Sequence, residues 1–153
     1  MGTELTAQTL TVTITEALAV DHANGSTNDI DFAQVYTHTY GSIANVSKRI
    51  IKLANTNLTE IATFGSDTQN GAFVRADVRY IRVTNLDDSD ALQVGLDDED
   101  SDAAYTSVAA DSSIIFTGTT VEGGNGGSTL DAATALKVKG AANQQLEVMI
   151  ASV

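Results

Sequence analysis

Cysteine, proline and tryptophan are absent from this 153-residue sequence, and the absences exclude whole classes of chemistry. Without cysteine there is no disulfide framework, no thiolate zinc site, no iron–sulfur cluster and no cysteine nucleophile. Basic residues are scarce. Eight Lys and Arg stand against twenty Asp and Glu, a formal net charge of −12, with a pI near 4.2. That is the wrong sign for gripping a phosphate backbone, so nucleic acid is not an expected partner. Long apolar runs are missing too. Aliphatic residues are interrupted by Thr, Lys or Glu well before the roughly 18 residues that span a bilayer, and no membrane partner is expected. Residues 1–15 lack a basic stretch followed by an apolar one, so no secretory export is expected. The glycosylation patterns at Asn24, Asn45 and Asn57 are then chance matches.

What is present is a chain able to fold. Hydrophobic residues make up 42% and charged residues 18%, which is not the composition of a disordered segment. The length suits one domain with a sizeable core. Thr, Val and Ile are plentiful, and turns must rest on Gly, Asn and Asp, the balance of a strand-rich protein.

Period-two alternation locates the strands. Leu10, Val12 and Ile14 alternate with Thr11, Thr13 and Thr15. A loop follows around Asn24-Gly25, and Phe32, Gln34, Tyr36, His38 and Tyr40 then share one face of a possible strand. Val46 to Leu53 and Leu58 to Phe64 are β-capable runs whose spacing, Ala54 to Asn57, predicts a hairpin. Phe73 to Thr84 reads as one extended stretch whose alternation changes phase. Val74, Ala76, Val78 and Tyr80 share one parity and Ile81 and Val83 the other, which predicts a bulge or a sheet-switching corner near Tyr80. A turn from Asn85 to Asp90 leads to Leu92, Val94 and Leu96. Tyr105 to Val108 and Ser112 to Thr117 are read as a strand pair about the turn Ala109-Ala110-Asp111. Leu136 and Val138, then Leu146, Val148 and Ile150, complete the series. The order Ser128-x-x-Asp131 matches a capping box, predicting one or two helical turns between Ser128 and Leu136. Eight or nine short strands with turns between them predict an all-β antiparallel β-sandwich, jelly-roll-like, with about eight strands and long loops. It is read as a single β-sandwich domain over residues 1–153, with residues 1–31 a partly extended N-terminal arm.

Motifs for catalysis are thin. His22 and His38 supply all the imidazole, with no helical His pair for zinc. No Gly-x-Ser-x-Gly elbow is present. Gly123, Gly124, Gly126 and Gly127 lack the lysine of a phosphate loop, since Ser128 and Thr129 follow, and read as a surface loop. Eight of the twenty carboxylates lie between Asp87 and Asp102. Asp98, Asp100 and Asp102 fit the first ligands of an EF-hand loop, but Ala103 stands where glycine is required and Ala109 where glutamate is. An irregular calcium site and a pair of solvated turns stay open as readings. A carbohydrate-cleaving carboxylate pair is poorly supported by eight aromatics and no Trp. Cations cluster at Lys48, Arg49 and Lys52, at Arg75, Arg79 and Arg82, and at Lys137 and Lys139, as cross-strand partners of carboxylates or contacts to an acidic neighbour. No catalytic, cofactor-binding or metal-ligating residue is assigned, no cofactor is expected, and the chain is read as not an enzyme.

The run Tyr80 to Asp88, followed by Leu92 to Leu96, Tyr105 to Phe116 with its turn at Ala110-Asp111-Ser112, and the closing strand Leu146 to Ala151, resembles small β-sandwich virion proteins of tailed bacteriophages. The resemblance covers about half the chain, from Tyr80 onward, and rests on strand-turn rhythm. It implies a capsid decoration or cement protein at the capsid surface of the virion, with the major capsid protein as partner. A homotrimer is the natural state at a three-fold capsid position. Alternatives are a tail or head-tail adaptor subunit and, in a different class, a calcium-dependent carbohydrate-binding sandwich.

Overall fold

Alternation of period two is carried through into burial. In the strand Val78–Asn85, Ile81, Val83 and Asn85 are buried while Arg82 and Thr84 between them are only half-buried. In Gln145–Ser152, Leu146, Val148 and Ile150 repeat the pattern. The computed structural model describes residues 8–20, 30–98, 104–117 and 133–153. It divides into two units, residues 1–43 and residues 44–153.

The second unit is a sandwich. Numbered in chain order after two strands of the first unit, β1 (Gln8–Val20) and β2 (Ile30–Ile43), its strands begin with β3 (Asn45–Lys52), β4 (Thr59–Gly65) and β5 (Phe73–Val74). Then come β6 (Val78–Asn85), β7 (Leu92–Asp98), β8 (Ala104–Val108), β9 (Ser113–Thr117), β10 (Ala133–Lys139) and β11 (Gln145–Ser152). One sheet has the order β5-β4-β10-β7-β8 and the other β3-β11-β6-β9. With the two-residue β5 set aside, eight strands remain, four to a sheet. All their pairings are antiparallel, and successive strands change sheets at every connection except β7–β8. This is the strand order of a jelly roll, and it is the fold class that the alternation predicts.

The switching order corrects two expectations. Val46–Leu53 and Leu58–Phe64 do not form a hairpin, because β3 pairs with β11 and β4 with β10. Likewise β8 pairs with β7 and β9 with β6, so the turn at Ala109 to Asp111 carries the chain between sheets. Each strand's apolar face reaches the same core from its own sheet, so a short connection fixes nearness in space and not hydrogen bonding. The extended stretch Phe73–Thr84 is also interrupted, by a 3-10 turn at Arg75–Asp77. Its change of phase is real. Val78 pairs with Ser152 and Tyr80 with Ala151, leaving Arg79 as the extra residue of a bulge. Ala133 to Leu136 lie in strand β10 and not in a helix; residues 128–132 fall outside the described residues.

Between the sheets, Leu53, Ile81, Val83, Leu92, Val94, Leu136, Val138, Leu146, Val148 and Ile150 form a continuous core with at most 1% exposure each. Each such side chain contributes roughly 1.5–3 kcal/mol by leaving water.

In the first unit, β1 and β2 form an antiparallel ribbon of 13 and 14 residues. Strands of that length exceed the usual range of about 3–10 residues, and a two-stranded ribbon alone is marginal in water.

Candidate interaction surface

Register places the ribbon's side chains on two unlike faces. Leu10 pairs with Tyr40, Val12 with His38 and Ile14 with Tyr36, so these six side chains share one face. Thr11 pairs with Thr39, Thr13 with Thr37 and Thr15 with Val35 on the other. On the first face Ile14 is 45% and Tyr36 49% exposed, while the rings of His38 and Tyr40 stand 4.4 Å apart by centroid. On the second, the hydroxyls of Thr13 and Thr37 meet at 3.5 Å. Ile14 and Tyr36 are thus large apolar side chains exposed on one face of a two-stranded ribbon, with Tyr40 buried at its end.

Three cations of the sandwich, Lys48, Arg82 and Lys137, pair with carboxylates across strands. On the outer face of the four-stranded sheet, Lys48 of β3 meets Glu147 of β11 at 3.1 Å, and Arg82 of β6 reaches the other carboxylate oxygen. Glu147 consequently sits below the ordinary glutamate pKa, held there first by the hydrogen bond from Lys48 and then by Arg82, against partial burial. Arg82 Nε is buried without a partner. In the other sheet Lys137 of β10 pairs with Asp97 of β7, which raises the lysine pKa. Arg49 donates to the carbonyl of Ile61, and Arg79 to the carbonyls of Ala76 and Val78.

The acidic turns separate into parts. Asp87 Oδ1 accepts hydrogen bonds from the backbone N–H groups of Asp90 and Ser89 and from the Ser89 hydroxyl, which lowers its pKa and closes the turn after β6. Among the described residues no three carboxylates or histidines gather as metal ligands. Glu99, Asp100 and Asp102 lie outside the described residues, as do His22 and the glycines at 123–127.

One end of the sandwich is tied by two buried amides that sequence reading did not single out as a pair. Asn85 and Gln144 are 0% and 2% exposed. Asn85 Nδ2 donates to the carbonyls of Asp90, Val108 and Ala109, and its Oδ1 accepts from the N–H of Asp87. Gln144 Nε2 donates to Asn85 Oδ1 and to the Asp90 carbonyl, while its Oε1 accepts from the N–H of Ala141. Backbone bonds between Leu53 and residues 143 and 144 add the connection after β3. Four sheet-switching connections are thereby closed by one network whose groups are satisfied. That makes it a structural knot and leaves little of it free for chemistry.

A pocket of about 240 Å³ lies at the opposite ends of β3 and β11, lined by Asn45, Thr68, Phe73, Asp77 and Ser152 among others. It is smaller than usual small-molecule sites, and Asp77 is the one ionisable side chain among its lining residues. No helix among the described residues is long and apolar enough to cross a membrane. Compared with protein-family models, curated proteins and solved structures, the chain matches none.

Proposed function

We propose that this protein is a virion structural protein of the capsid decoration type, a jelly-roll domain that binds the major capsid protein lattice in many symmetric copies and acts without catalysis. The observation that carries the reading is the β1–β2 ribbon, on which Ile14 and Tyr36 are exposed while Tyr40, at one end of the same face, is buried. An isolated monomer gains nothing from such a ribbon, whereas an assembly that covers it gains the burial. The jelly roll is used by viral capsid proteins as well as by lectins and cupins, so the fold supports the reading by analogy only. The phage-like strand rhythm from Tyr80 onward adds to it.

The test is sedimentation with purified heads of the virus that encodes the chain. Saturable binding at a fixed number of copies per capsomer, with a higher temperature of DNA release, is expected. Failure to bind heads overturns the reading, and assembly of the isolated chain into hexameric rings or tubes transfers it to the tail.

A further inference from the structure

We infer that the β1–β2 ribbon docks head-to-tail on the outer face of strand β3 in a second copy of this chain. The inference rests on the reading of the protein as a component that works in many copies. Two surfaces carry it. The first is the aliphatic and aromatic ribbon face, in a segment with no cation: residues 1–47 contain no Lys or Arg and include Glu4, Glu16, Asp21, Asp29 and Asp31. The second is β3, an edge strand of its sheet. Its pairing with β11 puts Val46, Lys48, Ile50 and Lys52 opposite Ala151, Met149, Glu147 and Gln145, on the face turned away from Leu146 and Val148. Val46 is 56% and Ile50 63% exposed, and both lysines are exposed.

In a protein of net charge −12 this outer strand face carries two lysines, Lys48 paired with Glu147 and Lys52 beside it, among exposed aliphatics. The ribbon is its complement in both respects: apolar on one face, acidic in charge and free of cations. Pairing β3 with another β3 would bring Lys48, Arg49 and Lys52 against their own copies, a repulsion that protects edge strands from like partners. Ribbon against ribbon would bring carboxylates together. Ribbon against β3 satisfies both surfaces and is heterologous, the kind of contact that builds a ring such as a trimer when its rotation closes.

The test is light scattering of the full chain in solution, without capsids, on three variants. Ile14→Ser with Tyr36→Ser disables the ribbon face, Lys48→Glu with Lys52→Glu disables β3, and Val35→Ser alters the opposite ribbon face. None of these residues belongs to the sandwich core, and cooperative melting of each variant checks its fold. The unaltered chain and the Val35 variant are expected to be oligomers whose affinity falls with salt. Each double variant alone is expected at the monomer mass of 15.9 kDa. Mixed together, the two double variants restore one interface and give a dimer. A wild-type monomer at high micromolar concentration overturns the inference. So does an oligomer that survives the β3 changes, or a mixture that stays monomeric. Capsid binding by a monomeric wild-type chain leaves the proposed function standing while this inference falls, and an oligomer that ignores capsids does the reverse.

Discussion

Gln144 donates its side-chain amide to the Asn85 side-chain carbonyl at 3.0 Å, and the two residues are 59 positions apart. That bond joins the connection after β6 to the connection before β11, and Asn85 also reaches the turn after β8. A jelly roll changes sheets at such connections, so its two sheets are held in register there by loops. Here the loops are held by two amides that are themselves buried.

Replacing Asn85 by Ala should therefore cost about 2–4 kcal/mol, because buried carbonyls and the Gln144 amide lose partners together. Gln144→Ala should cost a comparable amount. In urea unfolding the double variant should lose less than the sum of the single losses, since the second change removes a group already left unpaired. Strict additivity would show that the two amides act independently.

Gly140 is the reason Gln144 fits. A Cβ built on Gly140 would overlap Gln144 Oε1 and come within 3.0 Å of Leu53 Cδ1. Gln144 is buried and bonded at both ends, so it has nowhere cheap to move. Gly140→Ala should destabilise the wild-type chain by about 1–3 kcal/mol. In a Gln144→Ala background the same change should cost markedly less, as read by the shift in the urea midpoint.

These residues also show what the sequence makes legible. Ile81, Val83 and Asn85 share one parity, and so do Gln144, Leu146, Val148 and Ile150. Each amide occupies the next step of an apolar row, a signal of a buried polar group that composition in the turn hides. Period-two alternation disclosed the sandwich and even the slip that becomes the Arg79 bulge, because burial on one sheet face imposes it directly. Strand pairing was less legible. The short links after β3 and β8 look like hairpin turns, yet in a jelly roll they join strands that face each other across the core. The interaction surface was half visible: the row Tyr36, His38 and Tyr40 and the row Leu10, Val12 and Ile14 were both readable. Their pairing into one face depends on the register across residues 20–30, which no local pattern sets.

Glu147 gives the chain a defined acid response. Its folded-state pKa lies below the ordinary value of 4.5, so its ion pairs contribute fully above that value. The contribution is lost as pH falls through the lowered folded-state value. Glu147→Gln should cost about 1 kcal/mol at neutral pH, a modest sum because Lys48 is largely exposed. The stability difference between wild type and variant should hold constant from pH 7 down to roughly the unfolded pKa and then narrow. Urea midpoints at a series of pH values read this, and a difference that widens in acid would contradict the Lys48–Glu147–Arg82 arrangement.

Removing residues 1–43 separates the sandwich from the ribbon. The core cluster between the sheets runs from Leu53 to Ile150 and includes no residue of β1 or β2, although Tyr40 and Ile43 are themselves buried, so the remaining chain should still melt in one cooperative step. Its melting temperature should not depend on protein concentration. For the full chain, association stabilises the folded state by mass action, so its melting temperature should climb as concentration rises. Scanning both proteins over a hundredfold dilution series distinguishes the cases, since two flat lines would mean that the ribbon links no copies. A truncated chain that fails to fold would instead mean that β1 and β2 complete the domain, making the exposed row at Ile14 and Tyr36 a secondary feature of a structural element.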